Sequence, residues 1–258
     1  MIRPRIIPAL LLRDQGLVKG NNFSKHKYVG DPINAVRIFS KMEVDELFFL
    51  DIESTNKSSI ISLELIQDIA DECFMPFGVG GGIKNLDEIK SILKGGAEKV
   101  VINTAAYENP NLIKEASSYF GKQAIVVSID YKVVNGKPII FTNSGKKPRT
   151  LDLFDYVKLV EEEGAGEILI TSIDREGDLG GFELEISKKV CEITKIPVIV
   201  HGGAWTIEDI FEIFKVNQPS AVAAGSMFVF KGSRDGVLIN YPSRKILETL
   251  FKKLDSYL

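Results

Sequence analysis

The sequence predicts an α/β fold, a single (β/α)₈ barrel, and three observations carry that prediction. Short apolar runs alternate with amphipathic segments eight times along 258 residues, a length at which single barrels of this kind are common. Several runs are continuously apolar and β-branched, the pattern of parallel strands covered on both faces. Two segments also repeat at one spacing. Residues 45–50 match 166–171, and Gly81-Gly82-Ile83 with the helix after it matches Gly202-Gly203-Ala204 with its helix, each pair 121 residues apart. That repeat implies two half-barrels of four βα units, approximately 1–121 and 122–258, within one domain spanning 1–258. An open doubly wound sheet is the competitor. It needs a glycine fingerprint after the first strand, where a long polar loop is read instead.

The elements follow in order. Strands are predicted over 5–11, 46–51, 77–79, 99–102, 125–130, 167–171, 198–200 and 221–224. Helical periodicity falls between them over 32–41, 63–72, 86–93, 110–119, 153–163, 184–192 and 207–214, with a last helix over 243–254. Asp31-Pro32 sets a cap residue before a proline of the first turn, and Asn109-Pro110 repeats the device. Thr206 with Asp209 resembles a capping box whose acid is one carbon short. Residues 132–141 form two short runs around Asn135-Gly136, a hairpin signal that predicts a flap at the C-terminal end of strand five.

Composition excludes several classes. With 32 basic and 35 acidic residues and a net charge of −3, the chain is no general polyanion binder, so no nucleic-acid partner is expected. An apolar content of 45% spread along the chain argues against disorder. Cys73 and Cys191 are too few for a disulfide scaffold and suggest a reducing compartment. The most apolar early stretch, 6–12, is broken by Pro8 and stopped by Arg13-Asp14, too short for a membrane span. A soluble cytoplasmic protein with no membrane partner is expected.

Function in such a barrel gathers at the C-terminal ends of the strands. Gly80-Gly81-Gly82 follows strand three and Asn103-Thr104 strand four, while Gly202-Gly203 follows strand seven and Gly225-Ser226 strand eight. Glycines let a backbone approach a ligand, and amides near helix starts favour an anion. The symmetric placement suggests a substrate with a phosphate at each end; tight βα corners are the plainer alternative. Asp130, ending strand five, reads as a general acid or base or as a rim carboxylate, and Asp51 on strand two is weighed alike. His201 at the mouth of strand seven holds a phosphate, shuttles a proton or is a satisfied rim histidine. With two histidines and no Cys-His spacing, no metal is expected. On the opposite rim Arg5, Glu46, Lys99 and Glu167 each open a strand, which reads as an ion-pair cluster closing the floor.

These residues resemble the cyclase subunit of imidazole glycerol phosphate synthase from Arg5 to about Phe230. The stretches that carry the resemblance are Arg5-Ile6-Ile7-Pro8, Val18-Lys19-Gly20, Gly30-Asp31-Pro32, Val79-Gly80-Gly81-Gly82-Ile83, Ile102-Asn103-Thr104-Ala105-Ala106 and Thr171-Ser172-Ile173-Asp174-Arg175. It implies a half-barrel-built (β/α)₈ fold with two phosphate sites and no cofactor. It also implies a separate glutaminase subunit on the N-terminal face, whose ammonia crosses the barrel. Under the resemblance Arg5, Glu46, Lys99 and Glu167 are the ammonia gate, and Lys19 belongs to a loop that closes over substrate. Gly82, Asn103 and Thr104 form one phosphate site. Gly177, Gly203 and Ser226, with Gly225 beside it, form the other. Asp130 is one of two catalytic aspartates, and Thr171 is a candidate substrate contact with Asp51 and His201.

The family's other catalytic aspartate would follow Leu10, where Leu11 stands. Leucine neither gives nor takes a proton, and losing one partner of an acid–base pair removes about 10²–10⁴ in rate. Gly78 replaces a usual threonine, Glu176 an aspartate, His201 a small serine and Leu179 a polar residue. Together with Ala9-Leu10-Leu11-Leu12, the stretch at 27–35 and the tail at 236–242, the pattern resembles a paralogous branch of surface-polysaccharide biosynthesis. That branch implies ammonia delivery to a sugar amidotransferase that turns an N-acetyl group into an acetamidino group. An active cyclase of histidine biosynthesis and a non-catalytic scaffold that activates a glutaminase are the two alternatives.

Overall fold

Eight parallel strands close on themselves in the computed structural model, which describes residues 3–57, 59–232 and 236–257. They are β1 (Arg5–Arg13), β2 (Leu47–Asp51), β3 (Phe77–Gly80), β4 (Lys99–Ile102), β5 (Ile125–Val134), β6 (Glu167–Ser172), β7 (Val198–His201) and β8 (Ala221–Ala224). Each strand pairs in parallel with the next, and β8 returns to β1 with Arg5 opposite Ala221. Closure removes the sheet edges, as a barrel must. Outside lie α1 (Pro32–Lys41), α2 (Leu63–Glu72), α3 (Leu86–Lys94), α4 (Asn111–Phe120), α5 (Leu153–Glu162), α6 (Glu185–Ile193), α7 (Ile207–Asn217) and α8 (Arg244–Asp255). No helix among the described residues is long and apolar enough to cross a membrane.

Successive side chains of a strand point to opposite faces, so the barrel has two cores. Phe48 of β2 turns inward and joins Ile7, Ala9, Val101, Val126, Leu169, Ile199, Ala221 and Ala223 in the lumen. Phe49 turns outward into the larger core shared with the helices, beside Phe39, Ile66 and Phe77. Three alanines sit in the lumen among six larger side chains, and Gly78 lies against the Phe48 ring.

The helix starts follow the sequence with one correction. Asp31 accepts a hydrogen bond from the Asn34 N–H at 2.8 Å with Pro32 in the first turn, and Thr206 with Asp209 forms a reciprocal capping box. Asn109 caps nothing through its side chain; Pro110 sits at the boundary of α4, and the Asn109 carbonyl accepts from the Leu112 N–H.

Strands β1 and β5 outrun the others because each continues into an antiparallel arm above the rim. The expected hairpin follows β5: Val133 faces Pro138, Lys137–Thr142 returns, and Lys147–Asp152 adds a third strand. Asn135 and Gly136 both take positive φ, as a two-residue hairpin turn requires. The segment read as a long polar loop after β1 is also an arm, made of Gly16–Asn21 and Ser24–Gly30. Its turns use Asp14-Gln15 and Asn22-Phe23 at positive φ without glycine, so the sequence carried no hairpin signal. The arms cross. The first meets the loop after β6, where the Asn22 N–H donates to the Glu176 carbonyl at 2.8 Å. The second leans back, its Asn143 N–H donating to Thr104 Oγ1 at 3.1 Å and Ser144 Oγ to the Ile52 carbonyl at 2.9 Å.

Candidate active site

The strand register sets three polar side chains in a row. Asp130 of β5 lies opposite Thr171 of β6, and Thr171 lies opposite His201 of β7. All three point into the mouth, where they line a cavity of about 550 Å³ together with Leu11 and Asp51. Asp130 is buried; it accepts from Asn103 Nδ2 at 3.1 Å and from Ser128 Oγ at 3.2 Å. Burial disfavours its charged form and pushes its pKa up to about 7, with hydrogen bonds from Ser128 and Thr171 opposing the rise. His201 Nδ1 lies 3.3 Å from Thr171 Oγ1. Burial first, then the positive charge of Lys19, brings its pKa down to about 3, so the ring is neutral at physiological pH.

The first of the two turns expected to hold an anion opens onto this cavity. Gly82, Asn103 and Thr104 all line it, with the basic Arg13, Lys25, Lys57, Lys84 and Lys146 nearby. Gly82 sits at φ 71°, a conformation that favours glycine. Asn103 is partly committed elsewhere, since its amide bridges the Ser128 carbonyl and Asp130.

The second turn is covered. A Cβ placed on Gly177 would lie 2.6 Å from the Gly20 carbonyl oxygen, and one on Gly225 would lie 2.8 Å from Lys19 Cε. Neither residue lines the cavity, nor do Gly203 and Ser226. The first arm lies against Gly177 and Gly225, with Lys19 buried and ion-paired to the buried Glu176. Ser226 Oγ is buried without a hydrogen-bond partner.

At the other end of the lumen the four strand-opening charges meet as a closed ring. Lys99 Nζ lies 2.7 Å from Glu46 and 3.1 Å from Glu167, while Arg5 pairs with Glu46 and lies 3.2 Å from Glu167. Glu46 is the most deeply buried of the four. Each cation touches both anions, so the charges are compensated where water is scarce.

The structure therefore brings Asp130, Thr171, His201, Asn103, Thr104, Gly82 and Asp51 to one cavity. It places Lys19 on the first arm, Gly177 and Gly225 against that arm, and Gly203 and Ser226 outside the cavity lining. Asp51 uses Oδ1 to accept from the Glu53 and Ser54 N–H groups at 2.8 and 3.0 Å, capping the short helix Ser54–Lys57. Sequence reasoning did not single out Ser128, although it lies two residues before Asp130 on the same strand face. Nor did it foresee Glu176 as the partner of Lys19, because that pair joins an unrecognised arm to a distant loop.

Comparison with known proteins supplies the context. Residues 5–234 match the family described as histidine biosynthesis protein. A Leptospira borgpetersenii protein, provisionally named imidazole glycerol phosphate synthase subunit HisF, is 46% identical over 97% of this chain and 100% of its own length. A Pseudomonas aeruginosa protein, provisionally named subunit hisF2 of that synthase, is 45% identical over 94% of this chain and 97% of its own. The imidazole glycerol phosphate synthase subunit HisF of Natranaerobius thermophilus is 42% identical over 96% and 99%.

Proposed function

From the premise that this chain belongs to the histidine biosynthesis protein family, we propose that it is the ammonia-handling synthase subunit of a glutamine amidotransferase. A separate glutaminase docks on the N-terminal face and releases ammonia at the ring of Arg5, Glu46, Lys99 and Glu167. The ammonia crosses the lumen, and the product pathway is amidination of an N-acetyl sugar for a surface polysaccharide. One contrast carries the reading. The charged ring is complete at the floor, while Leu11 leaves β1 without a proton-handling group at the mouth. A conduit relieved of part of its original chemistry has that combination. The three alanines of the lumen support passage, and the open anion turn supports a phosphorylated substrate.

Lys99→Ala and Glu167→Ala test the conduit. Both are expected to alter glutamine-dependent product formation while turnover on ammonium salt stays near wild type. Unchanged glutamine-dependent formation in both variants overturns the reading.

A second reading, an active imidazole glycerol phosphate cyclase, is favoured by Asp130, whose buried carboxyl sits near neutrality as a general acid–base group should. Turnover of the cyclase precursor with excess ammonium, wild type against Leu11→Asp, separates the two. Brisk wild-type turnover establishes a cyclase; activity gained only in the variant supports a cyclase pocket turned to ammonia delivery.

A further inference from the structure

Leu11 faces the cavity from β1; Asp51 of the adjacent β2 caps Ser54–Lys57 through Oδ1, and the next polar group in strand order is His201. Strand β7 is two strands from β1, whereas β5 stands across the barrel. The sequence places an imidazole at 201 and a leucine at 11, and both line the same cavity. We propose that His201, Thr171 and Asp130 form a proton relay, with His201 Nε2 meeting the substrate and Asp130 holding the transferred proton.

The geometry dictates the order. His201 Nδ1 is committed to the Thr171 hydroxyl at 3.3 Å, so Nε2 is the nitrogen left for the cavity. On its other side Thr171 stands opposite Asp130 in the strand register, and its hydroxyl favours the charged carboxylate. A hydroxyl has one proton to donate. With Asp130 ionised, Thr171 donates to the carboxylate and accepts from the Nδ1–H of the ring, which leaves Nε2 bare as a base.

When ammonia adds to an electrophilic carbon, the new nitrogen is positively charged and must lose a proton. Nε2 accepts that proton, the Nδ1 proton passes to Thr171 Oγ1, and the Thr171 proton passes to Asp130. The ring ends neutral with Nε2–H, and Asp130 ends as a carboxylic acid. The reverse sequence delivers a proton to a leaving group.

Burial gives the relay its reason. A lone buried imidazole near Lys19 holds a positive charge poorly, and a carboxyl titrating near pH 7 takes the proton readily. The charged side chains that face His201 are Lys19 and, through it, Glu176. Asn103 and Ser128 contact Asp130 as neutral groups.

The relay needs some proton chemistry at the mouth, and so rests on the ammonia-handling reading in part, but its test needs no substrate. The chain has two histidines, so ring-nitrogen NMR of the ¹⁵N-labelled full chain, with His26→Asn for assignment, reports the His201 tautomer directly. As pH falls from about 8.5 to 5.5, through the value near 7 at which Asp130 takes its proton, the proton should move from Nδ1 to Nε2. Asp130→Asn should fix one tautomer at every pH, Thr171→Val should abolish the switch, and Thr171→Ser should restore it. A tautomer indifferent to pH, or an imidazolium that accumulates in this range, overturns the relay. With ammonium and a turned-over substrate, His201→Ser should lower kcat about 10²–10⁴-fold with KM little changed. Loss of the sugar reading alone leaves the NMR result intact.

Discussion

One layer of the barrel reads differently on its two sides. On β1, β2 and β3 the register aligns Leu11, Leu50 and Gly80; on β5, β6 and β7 it aligns Asp130, Thr171 and His201. The two rows occupy corresponding places in the four-strand repeats, yet one is a packed apolar wall and the other a hydrogen-bonded polar one. The Leu50 side chain crowds Gly80 so closely that a Cβ there would lie 2.9 Å from Leu50 Cδ2. The lesson is directional. Groups able to exchange protons line the β5–β7 side of this mouth, while the β1–β3 row offers apolar surface.

The strongest way to break that contrast is Asp130→Asn. It removes the seat of the proton from the polar wall, and turnover should fall about 10²–10⁴-fold. Leu11→Asn places a similar amide on the apolar wall. There it should cost about 1–3 kcal/mol of stability for a buried polar group without partners, whatever it does to rate. Stability against pH reads the same carboxyl independently. Its folded pKa, about 7, lies above the ordinary aspartate value, so the folded state binds the proton more tightly. The group's favourable contribution is complete below about pH 4 and is lost as pH rises through about 7, on the order of 4 kcal/mol in all. Urea unfolding of wild type should weaken over that interval relative to Asp130→Asn; parallel pH curves refute the assignment.

The arms sharpen the comparison next. The first is pinned by Lys19 and Glu176, both almost fully buried. Lys19→Ala leaves a buried carboxylate without its ion pair, which costs about 3–5 kcal/mol, and the loss should surface as hydrogen exchange across Gly16–Gly30 before global unfolding. The double change Lys19→Met with Glu176→Met removes both charges and should recover most of that stability. Recovery would show that the pair positions the arm more than it stabilises the fold. It would also leave Gly177 and Gly225 covered by an apolar lid, so any phosphate-dependent stabilisation of the wild type should weaken.

How much of this was legible in the sequence follows from its physics. The eight strands were legible because a sheet covered on both faces needs uninterrupted apolar runs, and those stand out at 125–130 or 198–200. The Asn135-Gly136 turn was legible because glycine marks positive φ. The first arm was not, since Asn22 and Phe23 take positive φ without glycine and most of the strand Ser24–Gly30 is exposed. Asp130, Thr171 and His201 were each noticed as residues at strand ends, but their alignment was hidden. Register depends on the stagger between strands, which no local pattern encodes. The covering of Gly177 and Gly225 was hidden for the same reason, being a contact between an arm and the loops after β6 and β8.

The smallest expected effect lies on the second arm, and it separates fastening by burial from fastening at the surface. Arg149 pairs with Glu108, donates from Nε to Thr142 Oγ1 at 2.7 Å and stacks 4.8 Å over the Tyr107 ring. Glu108 is half exposed, so water screens the pair and it contributes little. Stacking at a partly exposed ring adds about 0.5–1 kcal/mol. Arg149→Ala should therefore cost about 1–2 kcal/mol, with Arg149→Lys intermediate because lysine lacks the planar stack. Adding salt should erase part of the Arg149→Ala effect while leaving that of Lys19→Ala nearly whole, since screening reaches exposed pairs far more than buried ones. Equal salt sensitivity of the two variants would mean that the first arm opens to solvent in the native state. Its cover over the second anion turn would then be one state of an equilibrium in which both turns are open to ligand.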